Sequence, residues 1–113
     1  ILFSNREELD ATLTGFSAYK DFGIKIYMTT YHYYLPKKKL TKKDVFKHSL
    51  MVTEKDMKIQ QLIFIALFLV KHKLYVKHPI IDNLKKVLKG EKVKDFPSLQ
   101  EIKDRAETYK IEV

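Results

Sequence analysis

The sequence predicts an all-α fold: a compact single domain, residues 1–113, of five to six short-linked helices around a buried central helix. Three observations carry this expectation. Helix-start signals, a Ser or Thr followed three residues later by an acid, recur at Ser4 and Glu7, Thr41 and Asp44, Thr53 and Asp56, and Ser98 and Glu101. Such pairs cap the free N–H groups of a first helical turn. Between them, apolar residues recur at three- and four-residue spacing, the period of an amphipathic helix. Finally, Leu62 to Val70 is an unbroken apolar run of nine residues. That is far short of the roughly 20 residues of a membrane span but suits a helix enclosed on all sides.

The first helix is expected to open at Ser4 and Glu7 and run about 17 residues, with Leu9, Leu13, Phe16 and Tyr19 on one face. Gly15 lies inside it and weakens it by about 1 kcal/mol relative to Ala. Gly23 marks its stop. The following segment, Ile24–Leu35, closed by Pro36, pulls two ways. Its Ile, Tyr and Thr content favours a strand. Its apolar positions Ile24, Tyr27, Met28, Tyr31, Tyr34 and Leu35 fall at helical spacing, and strand alternation is poor, so periodicity favours a helix. An α+β fold with Ile24–Leu35 as a strand is the alternative. Its partners would have to come from the short β-prone pieces Leu74–Val76 and Lys110–Val113.

Lys37, Lys38 and Lys39 form a basic linker after Pro36. Thr41 and Asp44 then open a short helix carrying Val45, Phe46, Ser49 and Leu50. Thr53 and Asp56 repeat the signal ahead of a longer helix through Ile59, Leu62, Ile63, Ala66 and Val70, apolar nearly all round and hence central. Lys71 to His78 holds its end and a turn. Pro79 suits the first position of the next helix, because a first-turn N–H has no partner to lose. That helix carries Ile80, Ile81, Leu84, Val87 and Leu88 and stops at Gly90. Ser98 and Glu101 open the last one, with Leu99, Ile102, Ala106 and Tyr109 at helical spacing.

The net charge of +8 is concentrated. Between Pro36 and Lys94 stand 16 Lys and five acids, a net of +11, and the remainder of the chain sums to −3. Concentrated charge makes a field that draws in phosphates or acidic partners. The basic residues are 20 Lys against 2 Arg, which favours contact with a phosphate backbone over the reading of base edges. The chain has no cysteine. This excludes disulfides, thiol catalysis and Cys-based zinc sites, and fits an intracellular compartment, cytoplasm or nucleus. A start at Ile1 without a basic-then-apolar leader suits a processed chain or an excised domain.

No catalytic residues are assigned. Gly15, Gly23 and Gly90 are isolated, so neither a P-loop nor a dinucleotide fingerprint is present, and no serine sits in a Gly-x-Ser-x-Gly elbow. Glu7 and Glu8 are neighbours that diverge on a helix. His32, His48, His72 and His78 have no metal-ligand spacing and read as ordinary surface or interface histidines. No cofactor and no metal is expected. The candidate partner- or phosphate-binding residues are Lys37, Lys38, Lys39, Lys42 and Lys43, then Lys71, Lys73 and Lys77, with Tyr33 beside them. Tyr33 and His32 lie off the stripe of Tyr27, Tyr31 and Tyr34 and are expected to face outward or into an interface, where Tyr beside Lys suits base stacking or protein contact. The functional expectation is a non-enzymatic helical protein–protein interaction module of a larger protein or assembly, whose Lys-rich face attracts an acidic partner. The alternative is a nucleic-acid-binding helical domain contacting phosphates through the Lys37–Lys94 basic region.

Overall fold

A computed structural model describes residues 2–5, 12–26, 31–34, 39–74 and 76–113. It is mixed α and β, not all-α. Strands β1 (Leu2–Asn5), β2 (Thr12–Leu13) and β3 (Tyr31–Tyr34) form an antiparallel sheet in the order β1-β3-β2, and a 3-10 helix spans Gly15–Phe22. Among the described residues the α-helices that follow are α1 (Lys42–Lys55), α2 (Ile59–His72), α3 (Pro79–Leu88) and α4 (Leu99–Thr108). The chain divides into two compact units, Ile1–Val52 and Thr53–Val113, with the boundary inside α1.

In the first unit, two expected helices give way to the sheet. Ser4 is not a helix cap: it lies extended in β1, opposite His32 of β3. Leu13 lies in β2 opposite Tyr33. The part of the expected helix that is helical, Gly15–Phe22, is wound as a 3-10 helix. Its apolar residues Phe16, Tyr19 and Phe22 fall every third residue, the 3-10 repeat, and Phe16 and Tyr19 are buried. Gly15 enters it at φ +56° and Gly23 closes it at φ 91°, both left-handed values that glycine adopts without steric cost. Tyr31–Tyr34 is a strand, so β-propensity overrides the helical spacing there. The strand alternative is right for these four residues, but their partners are β1 and β2 rather than Leu74–Val76 or Lys110–Val113. Leu9, Tyr27, Met28 and Leu35, also assigned to those helices, lie outside the described residues.

Thr41 opens α1 as expected. Its N–H donates to Asp44 Oδ2 and the Asp44 N–H donates to Thr41 Oγ1, each at 3.1 Å. Val45, Phe46, Ser49 and Leu50 are all buried. Thr53, by contrast, is no cap. It continues the buried α1 face at i, i+3, i+4 and i+7 from Phe46, through Ser49 and Leu50, and is itself fully buried. Asp56 lies just beyond the helix end and pairs with Lys58 at 3.4 Å on the surface.

The second unit is built on α2. Leu62 to Leu69 are all buried, and α3 and α4 pack against this helix. Each large apolar side chain so enclosed contributes about 1.5–3 kcal/mol. The remaining helix starts follow local chemistry. Pro79 occupies the first turn of α3, and Ser98 with Glu101 forms a complete capping box on α4.

Candidate functional site

Beside the sheet, a cleft of about 520 Å³ opens among β2, the 3-10 helix and the start of α1. Ala18 and Val45 are buried, whereas Leu13, Phe22 and Leu40 are half-buried. Thr12 joins them among the described lining residues, and the exposed Asp21 and Lys39 bring one charge of each sign. The result is an apolar bowl with polar edges. Of the predicted binding residues, Lys39 lines it, and the exposed Lys42 and Lys43 stand on the first turn of α1.

The other predicted residues are placed differently. Tyr33 is fully buried, contrary to an outward-facing role. It lies in the central strand of the sheet opposite Leu13, where an aromatic contributes its area to the core. Lys37 and Lys38 lie outside the described residues. Lys71, Lys73 and Lys77 belong to the second unit and are exposed. Lys71 is in the last turn of α2, and Lys73 is its C-cap, with its N–H donating to the Leu69 carbonyl at 2.8 Å. Lys85, Lys86 and Lys89 stand in the same way at the end of α3. Cations at these ends complement the negative pole of the helix dipole. Lys42 and Lys43 do the opposite, since they sit at the positive pole of α1, where a cation is unfavourable and an anion is attracted.

A polar and aromatic cluster holds the first unit together. Thr14 Oγ1 bonds His48 Nδ1, and Tyr34 stacks on the His48 ring with centroids 4.8 Å apart. The Thr14 N–H donates to the His32 carbonyl at 2.9 Å, and the His32 N–H donates to Ser17 Oγ at 2.8 Å. Ser49 Oγ donates to the Phe46 carbonyl, so the Tyr19 hydroxyl donates to Ser49 Oγ at 2.7 Å. Burial pushes the Tyr19 phenol far above its ordinary value, opposed only in part by that bond. Burial also holds the His32 imidazole below its ordinary value, and its Nδ1 is enclosed with no hydrogen-bond partner. Thr14 is fully buried and Ser17 nearly so. The hydroxyls of Thr14, Ser17, Tyr19 and Ser49 are thus enclosed, and their bonds tie β2, β3, the 3-10 helix and α1 together.

His78 is also structural rather than a surface histidine. It is the N-cap of α3: its Nδ1 accepts from the Ile80 N–H at 3.0 Å, and its Nε2 meets Glu54 Oε1. Because Pro79 has no N–H, Ile80 is the first donor of the helix that needs a cap. The residue before a proline at a helix start is thereby marked as a cap, a signal available in the sequence. The cleft carries no such local signal, since its described lining comes from separated segments. Among the described residues, no three His, Asp or Glu gather as a metal site, and no helix is long and apolar enough to cross a membrane.

Comparison with protein-family models, with curated proteins and with solved structures found no match.

Proposed function

We propose that this protein is an interaction module that binds an acidic segment of a partner protein at the start of α1. The observation that carries this reading is the position of Lys42 and Lys43. Most helix-borne lysine groups of the described structure stand where they stabilise a helix C-terminus, whereas these two oppose the dipole of the helix that bears them. Helix stability does not account for them, and they would attract a partner's carboxylates beyond the one that Asp44 already brings to that turn. Lys39 adds to the same local field from the adjoining cleft.

The test is the double variant Lys42→Glu/Lys43→Glu, assayed by fluorescence anisotropy with a labelled Glu-rich peptide. Reversing both charges should abolish binding while making α1 slightly more stable, because acids are favoured in a first turn. Loss of binding would then not be a folding defect. Unchanged binding would refute the reading. Tight, steeply salt-dependent binding of oligonucleotides, with the peptide ignored, would instead favour the phosphate-backbone alternative.

A further inference from the structure

Building on that reading, we infer that the cleft lined by Leu13, Ala18, Phe22, Leu40 and Val45 receives a large apolar side chain, Leu or Phe, from the same acidic partner segment. Three features support this occupant. The volume of about 520 Å³ is ample for one large side chain together with the segment of backbone that carries it. The lining has the composition of a side-chain pocket: Ala18 and Val45 are closed off from solvent, while Leu13, Phe22 and Leu40 keep apolar surface exposed around them. A large side chain seated there would remove that surface from water, the usual basis of an interface anchor.

Charge then selects the kind of segment. Lys39 lines the cleft and is exposed, and Lys42 and Lys43 stand on α1 between the lining residues Leu40 and Val45 in sequence. A carboxylate next to the anchor side chain therefore finds a cation at the rim, and further acids find the start of α1. Asp21, also exposed on the lining, does the reverse. It repels an acid on its own side, so the segment must carry its acids toward Lys39. The two charges favour one orientation of the bound peptide, and the apolar floor adds to the affinity that the lysines supply.

The experiment uses the full chain and two labelled short peptides, one with a single Phe followed by a run of Glu, the other with that Phe replaced by Ala. The Phe peptide should bind about tenfold more tightly than the Ala peptide. Leu40→Gln should erase this preference without altering the unfolding midpoint much, because Leu40 is half-buried and precedes α1. Lys39→Gln, at an exposed position, should weaken the Phe peptide two- to threefold at low salt and leave it unchanged at high salt. Asp21→Asn should tighten it by a similar factor. Amide shifts on titration should centre on Leu13, Phe22 and Leu40. Equal binding of the two peptides, or a preference that survives Leu40→Gln, would overturn the cleft assignment while leaving the acidic-partner reading in place. Failure of both peptides to bind at low salt would overturn both.

Discussion

Replacing Gly15 with alanine separates two accounts of the first unit by the sign of one free energy. Gly15 starts the 3-10 helix at φ +56°. An added Cβ there would lie 3.7 Å from the backbone of Ser49 and 3.8 Å from that of His48. These are ordinary van der Waals distances, so no clash contributes. The cost is backbone strain, about 1–2 kcal/mol for an L-residue in the left-handed region. It is partly offset by about 0.4–1 kcal/mol from the reduced freedom of the unfolded chain. The net expectation is a loss of about 1 kcal/mol. In urea unfolding followed by circular dichroism, with a slope of about 1–3 kcal/mol per molar, the midpoint should fall by about 0.3–1 M. An α-helix running through residue 15 requires the opposite, a gain of about 1 kcal/mol from Gly to Ala. A midpoint that rises would refute the sheet and 3-10 arrangement of this unit.

Further expectations follow from the two structural histidines. His78→Asn keeps a good N-cap and loses only the exposed contact with Glu54, so it should cost less than about 1 kcal/mol; His78→Ala removes the cap and should cost about 1–2 kcal/mol, measured by thermal unfolding. Equal losses in the two variants would mean that capping of Ile80 is not what His78 contributes. For His32, burial lowers the pKa of a base, so the unfolded chain binds more protons than the folded one below the ordinary value of about 6.5. Stability is therefore full above that pH and falls as pH drops toward the lowered folded value. His32→Asn should shrink the loss of unfolding midpoint between neutral pH and pH 5, and an unchanged loss would assign it to other groups.

What was legible in the sequence follows from the range of the interactions. The starts of α1, α3 and α4 are decided within four residues, by Thr41 with Asp44, by Pro79 and by Ser98 with Glu101, and the sequence carries them directly. Burial of α2 was equally plain, because its apolar run leaves no polar face. The sheet was not. Its pairing joins Leu2 to Tyr34, and no local pattern announces a partner so distant. Ser4 and Glu7 mimic a capping box, and the aromatic spacing of Tyr31 and Tyr34 fits a helix as well as a strand. A strict three-residue repeat at Phe16, Tyr19 and Phe22 was the available sign of a 3-10 helix. The place of Tyr33 eludes a local reading for the same reason. Off the stripe of a helix it would face outward, but in the central strand of a sheet it is enclosed. Lysine clusters could be counted in advance, yet the distinction between Lys71, Lys73 and Lys42, Lys43 depends on which helix pole each occupies.

The most direct test of the proposed function is a competition between chemistries on the unmodified chain. Fluorescence anisotropy would compare the labelled Phe- and Glu-bearing peptide with labelled single- and double-stranded oligonucleotides across a salt series. The expected result is saturable peptide binding with a shallower salt dependence than that of the oligonucleotides, because its apolar anchor is insensitive to salt, and weaker oligonucleotide binding that collapses as counterion release is suppressed. Oligonucleotides bound more tightly than the peptide, with a steep salt slope, would contradict it.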